Sequence, residues 1–307
     1  MTDTPATPAR QSLRDWLQAP TASSPRQARA QAFWRGWQRL IANRAALAGL
    51  IVLVLLVAMA VIGPYLTPYS PLQQDLTARL QPPSAQHWLG TDDLGRDILT
   101  RILYGARITL MMALLVAAIA GPIGLAVGAT AGYLGGWFDI VAMRLVDVFL
   151  SFPSLILALA FVAALGPGIE NAVIAISLSA WPPIARLARA EALTVRKSDY
   201  IAAARLQGAS SMRLILKHVM PICLPSVVVR VTLNMAGIIL TAAGLGFLGL
   251  GAQPPSPEWG AMLASGRQFM LTSWWLAATP GAAIMLVSLA FNLLGDGLRD
   301  VLDPRND

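Results

Sequence analysis

The chain has 307 residues, of which 56% are hydrophobic and only 13% are charged, and its mean hydropathy is +0.59. A soluble globular protein carries about 25% charged residues, so this composition indicates a membrane protein. The net charge of +7 comes from 23 basic residues, nearly all arginines, that gather between apolar runs. This distribution indicates membrane topology and argues against a nucleic-acid-binding face.

The first 44 residues lack a long apolar run. Residues 1–30, rich in Ala, Pro, Ser, Gln and Arg, show little apolar periodicity and are predicted to form a disordered tail. Between residues 31 and 41, apolar side chains recur at helical spacing beside Arg35 and Arg39: Phe33, Trp34, Trp37 and Ile41. This pattern predicts a helix at the membrane interface or, equally, a helical extension of the first span.

Six apolar segments are candidates to cross a hydrocarbon core of about 30 Å. The first transmembrane helix is predicted at 45–66, followed by a proline-rich periplasmic loop at 67–106. Five more spans are predicted within a permease domain at 107–296, namely 108–138, 143–165, 171–187, 226–250 and 276–294. A Gly166-Pro167-Gly168 turn joins the third and fourth spans, and the fourth is short and contains Pro182 and Pro183. The predicted fold class is all-α, a polytopic membrane protein with six transmembrane helices.

The distribution of Lys and Arg predicts the orientation of these spans. With the N-terminus inside, cytoplasmic segments hold 17 of these residues and external segments five, with Arg230 inside the fifth span. Because positive charges are retained on the cytoplasmic side, residues 1–44 and the C-terminal tail 297–307 are both predicted to be cytoplasmic. The first apolar run begins too late and is too long for a secretory signal, so it is expected to remain as an anchor.

The longest polar interruption in the second half of the chain is residues 199–221, called the docking segment below. Ser198 is a candidate cap for a first helix, which Gly208 interrupts. Ser210 or the serine after it is expected to cap a second short helix that Pro221 ends. Its apolar face is predicted to contain Met212, Ile215, Leu216 and Val219. The pattern is that of a docking element, although an amphipathic helix pair at the membrane interface fits it as well.

No motif of a self-contained enzyme or ATPase is present, since the GxxxxGK[ST], HExxH and GxSxG patterns are absent. We therefore assign no catalytic residues. Cys223 is the single cysteine, which excludes a cysteine-based metal cluster and predicts a small packed residue. Four acids are conceivable ligands of an oxygen-seeking metal ion but are better interpreted as helix-start residues, so no metal site is assigned: Asp75, Asp92, Asp93 and Asp97.

Charges at or inside the predicted spans are candidates for a structural ion pair or for the transport pathway: Asp139, Arg144, Asp147 and Arg230. Charges at such depth face a cavity or one another. Arg144 and Asp147 are three residues apart on one helix, so we expect them to pair, and a salt bridge that sets helix register is favoured over a substrate contact. Trp259 lies in an external loop, where contact with a partner and anchoring in lipid are equally compatible with the sequence.

Five stretches together resemble the inner-membrane permease subunits of ATP-binding cassette importers, in particular the second permease subunit of dipeptide, oligopeptide, glutathione and nickel systems. They are HWLGTDDLGRDILTRILYGARITL (87–110), VDVFLSFPSLILALA (146–160), residues 200–221, FLGLGAQPPSPEWGAML (247–263) and FNLLGDGLRDVLDPR (291–305). The docking segment is similar to the family's EAA loop, with Ala202, Ala203, Ala204, Gly208 and Pro221 at the motif positions. Ala202 stands where the pattern has Glu, and Asp199, one helical turn earlier, is a candidate to restore a negative charge on that face.

The resemblance implies a type I importer permease fold of the MetI-like kind, with cytoplasmic coupling helices, in the bacterial inner membrane. It implies a homologous permease, two cytoplasmic ATP-binding subunits that carry ATP and Mg, and a periplasmic solute-binding protein as partners. The chain itself is then not an enzyme, contacts membrane lipid, and binds no cofactor and no nucleic acid. The implied contacts of the ATPase subunits are Asp199, Tyr200, Ala202, Ala203, Ala204, Arg205, Gly208, Ala209, Arg213, Leu216 and Pro221. The candidates that face the binding protein are Trp259, Asp92, Asp93 and Arg96.

The solute that the resemblance implies is a di- or oligopeptide, with nickel or glutathione as alternatives within the same family. The alternative from a different class is a secondary transporter or channel driven by an ion gradient. That class would require an internal repeat or a carboxylate at the membrane midplane, and neither is visible in the sequence.

Overall fold

The computed structural model describes residues 16–17, 19 and 22–302, and over this part of the chain it is helical without a named β-strand. In chain order the helices are α1 (Pro25–Ala42), α2 (Arg44–Leu66), α3 (Ile98–Leu134), α4 (Gly136–Leu150), α5 (Ser154–Leu165), α6 (Ile169–Arg196), α7 (Asp199–Leu206), α8 (Ser211–Leu214), α9 (Met220–Phe247), α10 (Trp259–Gly266) and α11 (Trp275–Leu302). Short 3₁₀ turns occur at Leu76–Ala78 and Arg267–Phe269, and a π turn, Ile215–Val219, joins α8 to α9. The predicted all-α fold is confirmed.

Helix α1 begins earlier than the sequence predicts. Ser24 caps it by accepting a hydrogen bond from the Gln27 amide at 3.2 Å, and Pro25 occupies the first turn, where its missing N–H costs nothing. The Gln27 side chain in turn donates to the Trp16 carbonyl at 2.7 Å. Residues 25–30 are therefore helical and not part of a disordered tail, while most of the remaining tail prediction falls outside the described residues.

A break at Asn43 separates α1 from the first span. Asn43 has an extended backbone, and its side chain accepts hydrogen bonds from the amides of Ala45 and Ala46 at 3.0 and 3.2 Å. It therefore caps α2, and α1 is not a continuous extension of that helix. Helix α2 covers the residues 45–66 that are predicted to form the first transmembrane helix.

The second predicted span also begins earlier, at Ile98 rather than near residue 107. Asp97 is the N-cap, and its Oδ2 accepts hydrogen bonds from both the amide and the hydroxyl of Thr100 at 2.7 Å. Arg101, which falls in the predicted loop 67–106, is buried in the first turns of the helix and donates to the Pro71 carbonyl at 2.8 Å. The helix ends at Leu134 with Gly135 as its C-cap, four residues before the predicted end at 138.

The third predicted span is two helices and not one. Helices α4 and α5 are bent by 94° at residues 151–153. Pro153 has no amide hydrogen to continue the helix, and it disfavours a helical backbone at Phe152. The Gly166-Pro167-Gly168 turn then leads into α6, as predicted, with positive φ at both glycines.

Helices α3 and α6 pack closely because α3 carries glycines on the contacting face. A side-chain carbon at Gly124, Gly128 or Gly132 would lie within 2.6, 2.1 and 2.6 Å, respectively, of atoms of α6. At Gly128 the nearest atom is the Ala185 carbonyl oxygen. These distances show that glycines allow α3 and α6 to pack closely.

Four described helical segments are long and apolar enough to cross a membrane, or five if the bent pair forms one span. They are Arg44–Gly63, Ile98–Leu134, Ser211–Phe247 and Trp275–Val301. The predicted fourth span corresponds to α6, which extends well beyond 171–187 but is less apolar, because Asn171, two prolines and Arg186 interrupt it. The structure is thus roughly consistent with six helices. Helix α11 includes the start of the predicted tail 297–307, and residues 303–307 lie outside the described residues.

Candidate functional site

The docking segment forms two short helices around Gly208, as the sequence predicts. Helix α7 follows Ser198, whose backbone is that of an N-cap although its hydroxyl donates to the Val195 carbonyl at 2.8 Å instead of capping. Gly208 has a φ of +81°, and a side-chain carbon there would meet no atom within 4 Å. Its requirement for glycine is therefore conformational and not steric. Ser210 caps α8 by accepting from the Arg213 amide at 3.4 Å.

The inner face of the docking segment packs against α3 and α6. A buried apolar cluster joins Ile201, Leu214, Ile215, Val219 and Cys223 to Ala129, Tyr133, Ala192 and Val195. Cys223 is packed, as expected, with its sulfur 3.8 Å from the Ala188 carbonyl oxygen. Arg205 Nη2 donates to the Tyr133 hydroxyl at 3.1 Å, and its guanidinium carbon lies 5.7 Å from the centroid of that ring. The segment is therefore attached rigidly to two long helices.

The outer face of the docking segment is apolar and exposed. Tyr200, Leu206, Met212 and Leu216 are 55, 90, 65 and 52% exposed, and these four side chains are called the docking surface below. The predicted face was half wrong, because Ile215 and Val219 are buried whereas Met212 and Leu216 are not. The reason is that Leu214 faces the core, and side chains two residues away on a helix point in nearly the opposite direction.

Pro221 does not end the second helix. The helix continues from Ser211 to Phe247, with the π turn immediately before the proline. A π turn widens the helix locally and so accommodates a residue that cannot donate the usual hydrogen bond. The second docking helix is consequently continuous with the membrane-spanning helix α9.

The remaining docking candidates lie on the surface of the segment. Asp199, Ala202, Ala203 and Arg213 are exposed, and Ala204 and Ala209 are half-buried. The hydroxyl of Tyr200 forms a hydrogen bond with Nδ1 of His218, which connects α7 to the π turn. Sequence reasoning missed Leu206, and it placed Met212 on the apolar face without including it among the ATPase contacts. The available signal was the number of residues that separates each of them from a buried residue of the same helix, because this number determines the side of the helix on which a side chain lies.

The charges of α4 pair with α6 and not with each other. Arg189 donates to Asp139, with Nη2 to Oδ2 at 2.7 Å, and Arg186 forms an ion pair with Asp147. The predicted pairing of Arg144 with Asp147 is therefore wrong, because the arginines of the adjacent helix reach both carboxylates. Arg144 instead lies exposed among apolar side chains of α4.

Arg230 lies within α9 and is half-buried. Its Nε is buried without a hydrogen-bond partner, and within the described part of the chain its guanidinium makes no hydrogen bond or ion pair. It remains a candidate for the transport pathway. Asn234, one helical turn later, is likewise without a hydrogen bond among the described residues, and sequence reasoning did not single it out.

Two of the charged residues predicted to face the binding protein are buried. Arg96 Nε donates to Asp92 Oδ2 at 2.6 Å, and Arg101 Nε lies 3.6 Å from the same oxygen. Asp92 also accepts from the amides of Leu94 and Arg96 at 2.9 Å and so stabilises the loop before α3. Asp93 is the half-buried member of the set. Asp92 and Arg96 therefore have a structural role and do not face a partner.

Trp259 is also buried. It is 1% exposed, and its indole Nε1 donates to the Ile102 carbonyl at 3.0 Å. Neither a partner contact nor a lipid anchor is compatible with that position. The preceding Glu258 is buried and caps α10 by accepting from the amides of Gly260 and Ala261, each at 2.8 Å. Burial raises the pKa of the Glu258 carboxyl, while these two hydrogen bonds act in the opposite direction.

The acids considered for a metal site serve as caps and ion-pair partners. Asp75 accepts from the amide and hydroxyl of Thr77 at 3.0 and 2.6 Å. Asp97 caps α3 through Thr100 and also contacts His87 Nδ1 at 2.9 Å. Over residues 22–302 no three or more such side chains are grouped to hold a metal ion.

Residues 122–307 match the family model of the binding-protein-dependent transport system inner membrane component. Residues 32–83 match the N-terminal transmembrane domain of oligopeptide transport permease C. The probable D,D-dipeptide transport system permease protein DdpC of Escherichia coli K12 is 49% identical over 83% of this chain and 86% of its own length. The dipeptide transport system permease protein DppC of Alkalihalophilus pseudofirmus is 46% identical over 89% of this chain and 90% of its own.

A solved structure supports the same fold. The MetNI methionine ABC transporter, in an inward-facing conformation, contains a chain that aligns with a TM-score of 0.53 and 22% identity. The alignment covers 66% of this chain and 96% of that one. The MetI-like permease fold that the resemblance implied is therefore confirmed.

Proposed function

The chain belongs to the family of binding-protein-dependent transport system inner membrane components, and from this membership we propose that it is one of two permease subunits of an ATP-driven peptide importer. Relatives that align over most of the chain are named as permeases for dipeptides and for di- and tripeptides. Their names support a peptide as the solute. The inner membrane of a bacterium is the corresponding location.

The docking surface is the observation that carries the proposal. Four large apolar side chains are exposed on two short helices that are attached to the spans but lie in a polar segment. A surface of this kind marks a protein contact. We assign it to a cytoplasmic ATPase subunit, with Asp199, Arg213 and the exposed alanines 202 and 203 at its polar rim.

The connections of this segment suggest how ATP hydrolysis moves the permease. The second docking helix continues without interruption into α9, and the first is attached to α3 through Arg205 and Tyr133. Closure of two ATPase subunits would therefore tilt whole spans instead of bending a loop. In this proposal the ATPases bind ATP and Mg, the chain itself hydrolyses nothing, and a homologous permease completes the pathway.

The same proposal places both termini in the cytoplasm, because this orientation puts 17 Lys and Arg residues inside and five outside. The loop at 67–97 and helix α10 then face the periplasm, where a solute-binding protein delivers the peptide. Of the residues predicted to meet that protein, Asp93 is the one that retains an accessible side chain.

The test is ATP-driven uptake by the purified transporter. The chain is tagged in its native membrane, its complex is isolated and placed in liposomes, and uptake of radiolabelled alanyl-alanine delivered by the binding protein is measured. We expect uptake that requires ATP and Mg and that persists when ion gradients are collapsed. Uptake by this chain alone, driven by an ion gradient, would refute the proposal. If nickel or glutathione competed for uptake and unlabelled peptides did not, the assignment as an ATP-driven importer would stand but its solute would not be a peptide.

A further inference from the structure

One face of α9 carries polar or small groups through the apolar middle of the helix. The set, called the polar stripe below, is Ser226, Arg230, Asn234, Gly237 and Thr241. At 3.6 residues per turn these positions lie within about 80° of one another around the helix axis. They are half-buried or exposed, whereas Met235, Ile238 and Ile239 on other faces are buried. The polar face of this span is therefore not the face that packs into the core.

Two members of the polar stripe lack partners. Ser226 donates to Glu191 Oε1 at 3.0 Å, and Thr241 donates to the Gly237 carbonyl at 2.8 Å. Arg230 and Asn234 form no hydrogen bond or ion pair within residues 22–302, and the Arg230 Nε is buried. A cation and a carboxamide without partners are costly inside a membrane, so such groups indicate a functional contact.

A cavity lies beside the stripe. It has a volume of about 200 Å³ and is bounded by the start of α5, the middle of α6 and the Leu233 to Thr241 part of α9. Gly237 opens onto free space, since a side-chain carbon there would meet no atom within 4 Å. The cavity lining is uncharged but polar in part, because Ser154, Ser179 and Asn234 contribute to it.

Helix α6, which forms one wall of the cavity, is interrupted by two prolines. Pro182 and Pro183 lie inside α6 and have no N–H, so the carbonyls of Leu178 and Ser179 lose their usual helical donors. Irregular hydrogen bonding of this kind inside a membrane is tolerated where the backbone lines a cavity. The cavity lining thus includes the Asn234 carboxamide and the hydroxyl-bearing Ser154 and Thr241, and Arg230 precedes Asn234 by one helical turn.

We propose that Arg230 and Asn234 form a recognition site for the solute in this subunit's half of the transport pathway. Arg230 binds the carboxylate of the passing peptide, and Asn234 binds an adjacent amide group. Guanidinium–carboxylate contacts are strong because they are charge-assisted, and a carboxamide both donates to and accepts from a peptide group. This inference rests on the proposed function, since it requires that peptides pass along α9.

The decisive variant is Asn234→Asp, tested in the complete transporter by uptake of radiolabelled alanyl-alanine. The new carboxylate would lie one helical turn from Arg230 and neutralise it. If Arg230 binds the solute carboxylate, uptake falls about tenfold or more, the equivalent of one charge-assisted hydrogen bond. If Arg230 has only a structural role, the new partner leaves uptake unchanged, and the inference is overturned.

Three further variants separate charge from packing. Arg230→Gln is expected to lower uptake as strongly as Asn234→Asp, whereas Arg230→Lys retains the charge and a large part of the uptake. Thr232→Val is the matched control on another face of the same helix, where the hydroxyl donates only to the Val228 carbonyl at 3.0 Å, and it is expected to leave uptake unchanged.

Assembly of the complex is measured for every variant by co-purification. If Arg230→Gln dissociates the two permeases, Arg230 belongs to the subunit contact, which overturns the inference. Wild-type complex that takes up no peptide with ATP would instead refute the proposed function. Failure of the site and failure of the function are therefore distinguishable.

Discussion

Arg205 of α7 lies over Tyr133 of α3, with its Nη2 donating to the phenolic hydroxyl at 3.1 Å and its guanidinium carbon 5.7 Å from the ring centroid. Tyr133 itself is buried among Ala129, Ala192 and Val195. The contact connects the first docking helix to α3, a 37-residue membrane helix, so force applied to α7 reaches α3 directly.

Replacement of Tyr133 tests this connection. Tyr133→Phe removes the hydrogen bond but keeps the ring, and we expect a loss of stability of about 1 kcal/mol with most transport retained. Tyr133→Ala removes both contacts and is expected to lower uptake more than it lowers ATP hydrolysis, because the ATPases then turn over without moving α3. Equal losses of uptake and hydrolysis in Tyr133→Ala would show that the contact does not transmit force.

The glycine elbow of the docking segment should be sensitive to backbone conformation and not to size. Gly208 has a φ of +81° with free space around it. Asn tolerates this region better than other L-residues, and a β-branched residue tolerates it least. We therefore expect solute-stimulated ATP hydrolysis to decrease in the order Gly208, Gly208→Asn, Gly208→Val. A Val variant as active as wild type would mean that the elbow angle is unimportant.

Close packing of α3 against α6 predicts a steep penalty at Gly128. A side-chain carbon there would lie 2.1 Å from the Ala185 carbonyl oxygen, so Gly128→Ala forces the helices apart at a cost of about 1–3 kcal/mol. Gly121→Ala is the matched control on the same helix, where the nearest atom is a Val231 methyl at 3.4 Å. Thermal unfolding in detergent should show a lowered midpoint for the first variant alone, and equal midpoints would count against this packing.

The Asp139–Arg189 pair should contribute modestly to the attachment of α4 to α6. Its side chains are 15% and 33% exposed, so solvent screening limits its value to about 1 kcal/mol. Asp139→Asn should lower stability by about this amount, and adding Arg189→Gln should cause little further loss, because the partner is already absent. Additive losses in the double variant would exclude a direct interaction.

Glu258 predicts a specific dependence of stability on pH. Burial raises its pKa in the folded state above its ordinary value of 4.5, so the protonated carboxyl favours folding. This contribution is fully present below pH 4.5 and is lost as pH rises through the raised pKa. Thermal midpoints of the wild type relative to Glu258→Gln should therefore decline over that interval. A relative midpoint that rises with pH would show that the capping hydrogen bonds outweigh burial.

Much of this organisation could be predicted from the sequence, because apolar runs and arginine clusters directly reflect the membrane. The first span, the Gly166-Pro167-Gly168 turn and the elbow at Gly208 were all recognisable from local patterns. The break at Pro153 and the continuous helix through Pro221 were not, although both involve proline. Whether a proline ends a helix depends on whether the turn before it can widen, as the π turn before Pro221 does. Only the three-dimensional structure shows this.

The site residues also divide into those that the sequence locates and those that only the structure locates. The docking segment was located by its polarity, but the exposed members of its surface depend on which side Leu214 faces. Surface positions are what composition suggests for Trp259, Asp92 and Arg96. The indole of Trp259 is instead buried against the Ile102 carbonyl of α3. Asp92 and Arg96 are buried together with a second arginine, Arg101. Pairing of Asp139 and Asp147 with α6 could not be foreseen, since the sequence does not reveal which helices are neighbours.

The central claim, that the docking surface binds an ATPase subunit and couples it to transport, is tested most directly by an acidic residue at Leu206. Leu206→Asp is compared with Leu271→Asp, since both leucines are almost fully exposed but Leu271 lies in the loop before α11. Co-purification of the ATPase subunits with the tagged chain is measured together with solute-stimulated ATP hydrolysis. We expect Leu206→Asp to lose both and Leu271→Asp to retain both. Retention of both by Leu206→Asp would contradict the assignment of this surface.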